Sequence, residues 1–424
     1  MTSKLTSSYS NGSTSSFASR DEPQSQSTNV TIYFAEHLIA EILCCLPVKT
    51  LLRFRCVSKL WCSLIDSPRF VKSHLKRSIE SKTNTGVIIG GHITYSVPLD
   101  FGSLDNATAV EIDEPLKTLL RDTQAVGSCN GLHCLFNIVV DMFLWNPATR
   151  KCIKLPPVPT EFRGPLDFGR GSYCGFGYDA VNDDYKVLRI LRPDDKNFSG
   201  YKVTVYSLKN NSWRRLQDLS SYFGLVGPWG MFVGGAVHWI TVKPWGSEIC
   251  PSILAFDVGA ENYKELQMPR NIGEEMSLGI FAESLCITEF HLDIHINVWV
   301  MKDYGVGNSW YKLFSLEQQK VSRSGISLSP LAYSKNQKDV LTIVDNKKMI
   351  WYNLERKDFK TIKIANAPDV YDIEVFTESL VSPDYNTSDR KQVQKQPQEK
   401  QKLQKQQKKN KRDNFLSKGF KLVL

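Results

Sequence analysis

No stretch of this 424-residue chain approaches the roughly 18 to 20 uninterrupted apolar residues of a membrane-spanning helix, so no membrane span is expected. The opening segment lacks the apolar core of a signal peptide. Residues 1–30 are rich in Ser, Thr and Asn and read as a disordered leader of an intracellular protein. Metal-ligand pairs are missing as well: Cys129, His133 and Cys134 form one cluster with no second half at CxxC-like spacing. That speaks against a zinc-held domain and leaves reduced core thiols and a strand-end histidine. GxSxG, P-loop and Rossmann patterns do not occur in a strand–turn–helix setting. Asp183 and Asp184 are adjacent in a turn, a poor geometry for glycosidase-type catalysis. His291 and His295 flank Asp293 at alternating spacing and read as one polar face of a strand, with metal or acid–base work as the lesser alternative. No catalytic residue, cofactor or metal is expected.

Acidic residues are short at one end only. The net charge of +9 arises between Arg390 and Arg412, where ten Lys or Arg face the single acid Glu399. The remaining basic and acidic residues cancel, which argues against a general phosphate-binding face and hence against nucleic acid as a partner. Residues 384–424 read as a Lys/Gln-rich disordered tail. Within it Lys408, Lys409, Lys411 and Arg412 are candidates for a nuclear-import signal, giving an expected distribution between nucleus and cytoplasm.

What the chain does have is a dense apolar segment from Glu36 to Leu75. Leu38, Ile39, Ile42, Leu43 and Leu46 recur at helical spacing up to Pro47, which begins a turn. Leu51, Leu52, Phe54 and Val57 follow, then Val57, Trp61, Leu64 and Ile65, and Asp66 and Pro68 give cap-like signals for a restart. Three short helices are expected. So short a segment buries too little of its own surface to be comfortably stable, so part of this apolar set is expected to be shared with another protein or with the rest of the chain.

The same residues resemble the F-box of plant F-box proteins, in the order Leu-Pro-Val-Lys, Leu-Leu-Arg-Phe, Val-Ser-Lys-x-Trp and Ile-Asp-Ser-Pro. Residues 31–78 would form that domain. The resemblance implies docking on the Skp-type adaptor of a cullin-based SCF ubiquitin ligase through Leu38, Ile42, Leu43, Leu46, Pro47, Leu51, Leu52, Phe54, Val57, Trp61, Leu64 and Ile65. Such F-boxes open with Leu-Pro, whereas this chain has Phe34 and Ala35, which removes a helix-starting proline and implies modestly weaker docking.

From about Gly86 to Pro383 short aromatic and β-branched runs alternate with Gly, Asn, Asp and Pro. One unit recurs, an apolar strand, a turn and a second strand, at Phe143, Val205, Leu254, Val298 and Ile350. The intervals lie in the range of propeller blades, and each unit reads as the outer hairpin of one. Thr85–Tyr95 with Tyr371–Leu380 would close a sixth blade from both chain ends. A large β-sandwich is the alternative. The fold class is thus mainly β with a small α-helical N-terminal domain, F-box helices followed by a β-propeller-like repeat domain over 85–383. Trp213, Trp239, Trp299 and Trp310 are expected between blades.

The motifs GSCNGL, LWNPATRK, GFGYDAVNDDYKV, VYSLKNNSW, GGAVHWI and TESLVSP make this region similar to the F-box-associated domain of plant proteins, including those like S-locus F-box proteins and F-box regulators of immune receptors. The implied function is the substrate-recognition subunit of an SCF ubiquitin ligase. It would hold an unidentified target near the conjugating enzyme, reached through adaptor and cullin, with proximity as the only catalysis. Pro157–Tyr173, Arg192–Gly200, Ser220–Trp229 and Pro244–Pro251 are candidate target loops. A non-degradative scaffold and a propeller enzyme with a hidden central site are the alternatives.

Overall fold

The computed structural model describes residues 36–90, 94–98, 107–112, 124–137, 141–159, 171–193, 200–245, 248–291, 294–317, 327–366 and 372–384. The leader 1–30, Phe34 and Ala35, and the basic tail with Lys408, Lys409, Lys411 and Arg412 lie outside the described residues.

Four helices open the described chain: α1 (Glu36–Cys44), α2 (Val48–Phe54), α3 (Lys59–Ile65) and α4 (Pro68–Glu80). The sequence reading expected three short helices; a break over residues 55–58 separates α2 from α3, and α4 runs 13 residues. The end of α1 tightens into i→i+3 bonds, Cys45 N–H to Ile42 O and Leu46 N–H to Leu43 O, before Pro47. Ser58 caps α3 by accepting from Trp61 N–H at 3.1 Å. Ser67, not Asp66, caps α4, with Pro68 in its first turn. Asp66 instead ends α3, where its carboxylate takes the Arg55 guanidinium at 2.8 Å. Leu43, Leu51, Ile65 and Phe70 form the centre of this domain.

The rest is a ring of six four-stranded antiparallel meanders. Blade 1 comprises Gln124–Cys129, Leu132–Phe136, Met142–Asn146 and Lys151–Lys154. Blade 2 comprises Ser172–Asp179, Asp184–Leu191, Gly200–Ser207 and Ser212–Arg215. Blade 3 runs Gly224–Val233, Ala236–Trp245, Glu248–Asp257 and Asn262–Leu266, and blade 4 runs Met276–Phe281, Ser284–His291, His295–Met301 and Trp310–Glu317. Blade 5 is Leu328–Tyr333, Asp339–Val344, Lys348–Asn353 and Phe359–Ile362. Blade 6 is Asp372–Thr377, Thr85–Gly90, Tyr95–Pro98 and Val110–Glu111. All five recurrent sequence units are outer hairpins, and Thr85–Gly90 pairs with Asp372–Thr377, so strands from both ends of the ring complete one blade.

Blades 2 and 3, with the short strand Leu219–Ser220 that pairs with Gly200–Ser207, are fused into one nine-stranded sheet, because their inner strands touch in parallel at Trp229 with Cys174 and Gly230 with Gly175. Glycine is what permits that approach. A Cβ on Gly230 would fall 2.4 Å from the Val237 side chain and 2.5 Å from the Trp239 indole.

Every apolar cluster of the ring is shared by neighbouring blades. Leu132, Leu144, Phe176 and Tyr206 join blades 1 and 2, and Val203, Val205, Trp239 and Phe256 join 2 and 3. Leu266, Ile287, Trp299 and Trp310 join 3 and 4, Phe281, Phe314, Val340 and Tyr352 join 4 and 5, and Val87, Ile89, Leu341 and Met349 join 5 and 6. Ile88, Trp145 and Phe376 close 6 on 1. This sequence of interfaces makes a closed propeller-like ring and disposes of the sandwich alternative. Trp213, Trp239, Trp299 and Trp310 all sit in these clusters.

Candidate functional site

The twelve residues singled out for adaptor docking divide three ways. Leu43, Leu51 and Ile65 are buried in the helical core; Leu46, Leu52, Phe54, Trp61 and Leu64 are half-buried; Leu38, Ile42, Pro47 and Val57 face solvent. Leu38 is 47% and Ile42 58% exposed, and their i, i+4 spacing puts them on one face of α1. Val57 at 59% and Leu60 at 50% make a second pair at the turn into α3. Leu60 is an addition; its i+3 spacing from Val57 carried the signal, which the neighbouring Trp61 obscured. Trp61 itself leans on Phe54 with ring centroids 5.4 Å apart. His74 fixes the end of α1 from below, its Nε2 2.9 Å from Leu46 O. Burial holds the His74 imidazole below its usual range, which favours the neutral ring.

The helical domain is seated on the ring. Val71, Leu75 and Ile79 of α4 enter the cluster between blades 1 and 2, and Lys72 pairs with Asp183 at 2.5 Å. The segment after the last strand of the chain acts as a strap. Asn146 Nδ2 donates to Ser379 O at 3.0 Å and Val381 O at 2.7 Å, and Glu378 N–H donates to Asn84 O at 2.7 Å. Ser379 Oγ donates to Asn130 O at 2.7 Å, against a turn where Gly131 has φ +81 and a Cβ would come within 2.4 Å of that hydroxyl. Leu380 packs on the helical core and Val381 on the ring core. Glu378, Ser379, Leu380 and Val381 thus bind blade 6, blade 1 and the helices together.

Strand direction assigns the loops to faces. The turns leaving each inner strand lie on the helical-domain side, since Asp183, Asn130 and Glu378 all sit there. The strand ends that open into second-to-third-strand and blade-to-blade connections then lie on the opposite face. All four candidate target loops are of those two kinds. Of them only Ser220–Trp229 lies wholly within the described residues; Pro157–Tyr173, Arg192–Gly200 and Pro244–Pro251 lie partly outside them. In that loop Tyr222 and Val226 are exposed, and Lys243 Nζ stands 5.2 Å and 4.9 Å from the centres of the Tyr222 and Phe223 rings.

An axial cavity of about 1530 Å³ runs through the ring, bounded by Phe176, Trp229, Tyr333 and Glu374 and, at one mouth, by Ile79 and Ser81 at the end of α4. Glu374 on its wall is structurally committed. Glu374 accepts from His133 Nδ1 at 2.9 Å, which ties blade 6 to blade 1. Burial alone would raise the Glu374 carboxyl, but His133 and the Ser128 hydroxyl outweigh it and hold the group below its usual range. Cys129 and Cys134 are buried thiols whose pKa burial drives up, so they are inert rather than nucleophilic.

The sequence motif GYDAVNDDYKV resolves into a buried ion network that the sequence did not reveal. Lys186 Nζ reaches Asp179 at 2.8 Å, Glu261 at 2.7 Å and Val258 O at 2.8 Å, fastening blade 2 to blade 3. Asp184 accepts from Ser207 Oγ at 2.6 Å and Lys209 N–H at 2.8 Å. His291 and His295 do not share one strand face as expected. A turn separates them, and they face each other across the hairpin. Among the described residues no group of three or more His, Cys, Asp or Glu is placed to hold a metal ion, and no helix is long and apolar enough to cross a membrane.

Comparison with known proteins agrees with this division. The F-box domain matches residues 35–73 and the F-box associated beta propeller domain matches residues 91–383. F-box protein CPR1 of Arabidopsis thaliana is 34% identical over 91% of this chain and 98% of its own length. F-box protein At4g22390 of the same plant is 32% identical over 91% and 98%. F-box/kelch-repeat protein At3g23880, also from Arabidopsis thaliana, is 32% identical over 66% of this chain and 78% of its own.

Proposed function

The chain belongs to the family of F-box proteins that carry an F-box associated β-propeller domain, and on that premise we propose that it is the target-recognition subunit of an SCF-type ubiquitin ligase. The F-box domain implies an Skp-type adaptor as its partner. One observation carries the docking half: Leu43, Leu51, Ile65 and Phe70 fill the helical core while Leu38, Ile42, Val57 and Leu60 remain in solvent. Each of those four, once covered, contributes roughly 1.5 to 3 kcal/mol, which the exposed Pro47 and the half-buried Leu46, Leu52, Phe54, Trp61 and Leu64 around them supplement.

The target would bind on the face of the ring turned away from the F-box, where the blade-to-blade and second-to-third-strand loops lie. A ring held to the F-box by α4 and the strap then presents target lysines at a fixed distance from a ubiquitin thioester carried by the cullin-bound conjugating enzyme. No reactive side chain of this chain enters the reaction. The propeller thus acts as a recognition module rather than an enzyme. The basic cluster Lys408, Lys409, Lys411 and Arg412 would direct part of the protein to the nucleus, and removing residues 385–424 should shift a fluorescent fusion toward the cytoplasm.

The test compares cells expressing the wild-type chain with cells expressing Leu38→Asp, Ile42→Asp. A target binds both forms, carries ubiquitin only with the wild type, and accumulates with the variant. Ubiquitination of every bound protein at equal levels with both forms would refute the reading.

A further inference from the structure

We propose that the lumen of the ring is a socket for a cationic side chain of the target, a lysine or arginine that enters from the face opposite the F-box and pairs with Glu374. The proposal rests on the target-recognition reading above and names the chemistry of the group recognised.

Glu374 emerges between the inner strands of blades 6 and 1. Its neighbours Ile373 and Val375 pack toward blade 5, while Phe376, on its own side of the strand, packs toward blade 1. From blade 1, His133 Nδ1 lies 2.9 Å from Oε2, and the Ser128 hydroxyl also bonds the carboxylate. These bonds fix the group without covering it. The side chain keeps 26% of its surface open, and the space it opens on is the lumen of about 1530 Å³. A carboxylate offers about four acceptor positions, so two donors leave room for a third.

The distribution of charge selects the occupant and its route. Of the described residues that line the lumen, only Lys82, Glu283, Lys335 and Glu374 are charged. Lys82 follows α4, and Glu283 and Lys335 lie in turns that leave inner strands, so these three stand at the F-box-side mouth. Glu374 is thus the one charge along the described wall itself. Low-dielectric walls focus its field and favour a cation. At the F-box mouth two cations against one carboxylate oppose the entry of another. The opposite mouth is marked by Gln124, at the start of blade 1, and Asn346, in the second-to-third-strand turn of blade 5, and no described lining residue there is charged.

Dimensions agree with that route. Glu374 lies two residues into the strand Asp372–Thr377, about 7 Å from its start at the rise of a strand, which is near the reach of an extended lysine or arginine side chain. Nothing bulky is built beside it. Ser277 and Ser329 on blades 4 and 5 are exposed lining residues, and a Cβ on Gly127, next to Ser128, would meet no atom within 4 Å.

The test titrates the purified full-length protein with blocked Gly-Arg-Gly and Gly-Lys-Gly peptides, beside the uncharged Gly-citrulline-Gly peptide and free spermidine, with saturation-transfer NMR as the readout. The wild type should bind a cationic peptide saturably at millimolar concentration. The citrulline peptide should bind about tenfold more weakly, the worth of one charge-assisted hydrogen bond, and Glu374→Gln should lose the same factor. Ser329→Lys supplies a cation in the target's place from an exposed position and should abolish binding, whereas Ser329→Gln should retain it. That pair decides the matter even if Glu374→Gln does not fold. No saturable binding of either cationic peptide by the wild type, equal affinity in wild type and Ser329→Lys, equal binding of the arginine and citrulline peptides, or binding of spermidine alone would overturn the proposal. Adaptor binding measured on the same wild-type and Ser329→Lys proteins should be equal; its absence from both would sink the ligase reading and leave the peptide titration to stand by itself.

Discussion

The two domains treat their apolar side chains in opposite ways. In the ring, each of the six interfaces between blades consumes the inward residues of both neighbours, and side chains as large as Trp239, Tyr206 and Phe256 are fully buried. In the F-box, Leu43, Leu51 and Ile65 saturate the small core and leave Leu38, Ile42, Val57 and Leu60 outside. A fold with more apolar residues than interior announces a partner. A ring whose exposed apolar side chains, among them Val110, Val181, Tyr222 and Ile294, are dispersed over several blades gives no such sign, and its binding face has to be argued from topology.

That contrast can be broken first where it is sharpest. Leu38→Asp with Ile42→Asp changes only solvent-facing positions, so adaptor binding should fall by at least a hundredfold while the melting temperature stays put. Leu51→Ala should do the reverse, destabilising the F-box by about 2 to 5 kcal/mol because it opens a cavity, as denaturant titration would read. The ring offers a pH-dependent counterpart. His238 is buried, with Nδ1–H donating to Met231 O and Nε2 accepting from Tyr304, each at 2.9 Å, and burial pushes its pKa down to about 4. A folded value below the unfolded one, about 6.5, means full stabilisation above 6.5 and its loss as pH falls toward 4, on the order of 3 kcal/mol. His238→Gln should flatten the stability profile over that window.

Smaller effects probe the joint between the domains. Asn146→Ala leaves the Ser379 and Val381 carbonyls short of their donor and should destabilise by about 1 to 3 kcal/mol, with faster amide exchange over the strap. Lys72→Ala removes an ion pair whose partners are 58% and 37% exposed, so less than about 1 kcal/mol is expected in thermal melts. A larger loss from Lys72 than from Asn146 would mean that charge, not the strap, seats the F-box.

Local patterns were legible in the sequence, and distant pairings were not. Turn formers such as Asn130-Gly131 and Asp183-Asp184 marked the hairpins, and the segments Thr85–Tyr95 and Tyr371–Leu380 showed how the ring closes. The helical stripe marked the candidate docking residues, yet it was too wide to tell Leu43, which turns inward, from Ile42, which turns out. Ser67 displaced Asp66 as the α4 cap because Asp66 was drawn to Arg55. His133 and Glu374 are 241 positions apart and Asn146 and Val381 are 235 apart, separations over which neither periodicity nor spacing carries information. His291 and His295 misled in the other direction: strict alternation resembled one strand, and the turn between them is what brings the rings together.

The most direct test of the central claim is a calorimetric titration of a purified Skp-type adaptor into the full-length protein, beside the Leu38→Asp, Ile42→Asp variant at matched melting temperature. The account predicts saturable one-to-one binding by the wild type at submicromolar affinity and none detectable for the variant. Equal binding by the two, or no binding by the wild type at micromolar concentration, would contradict it.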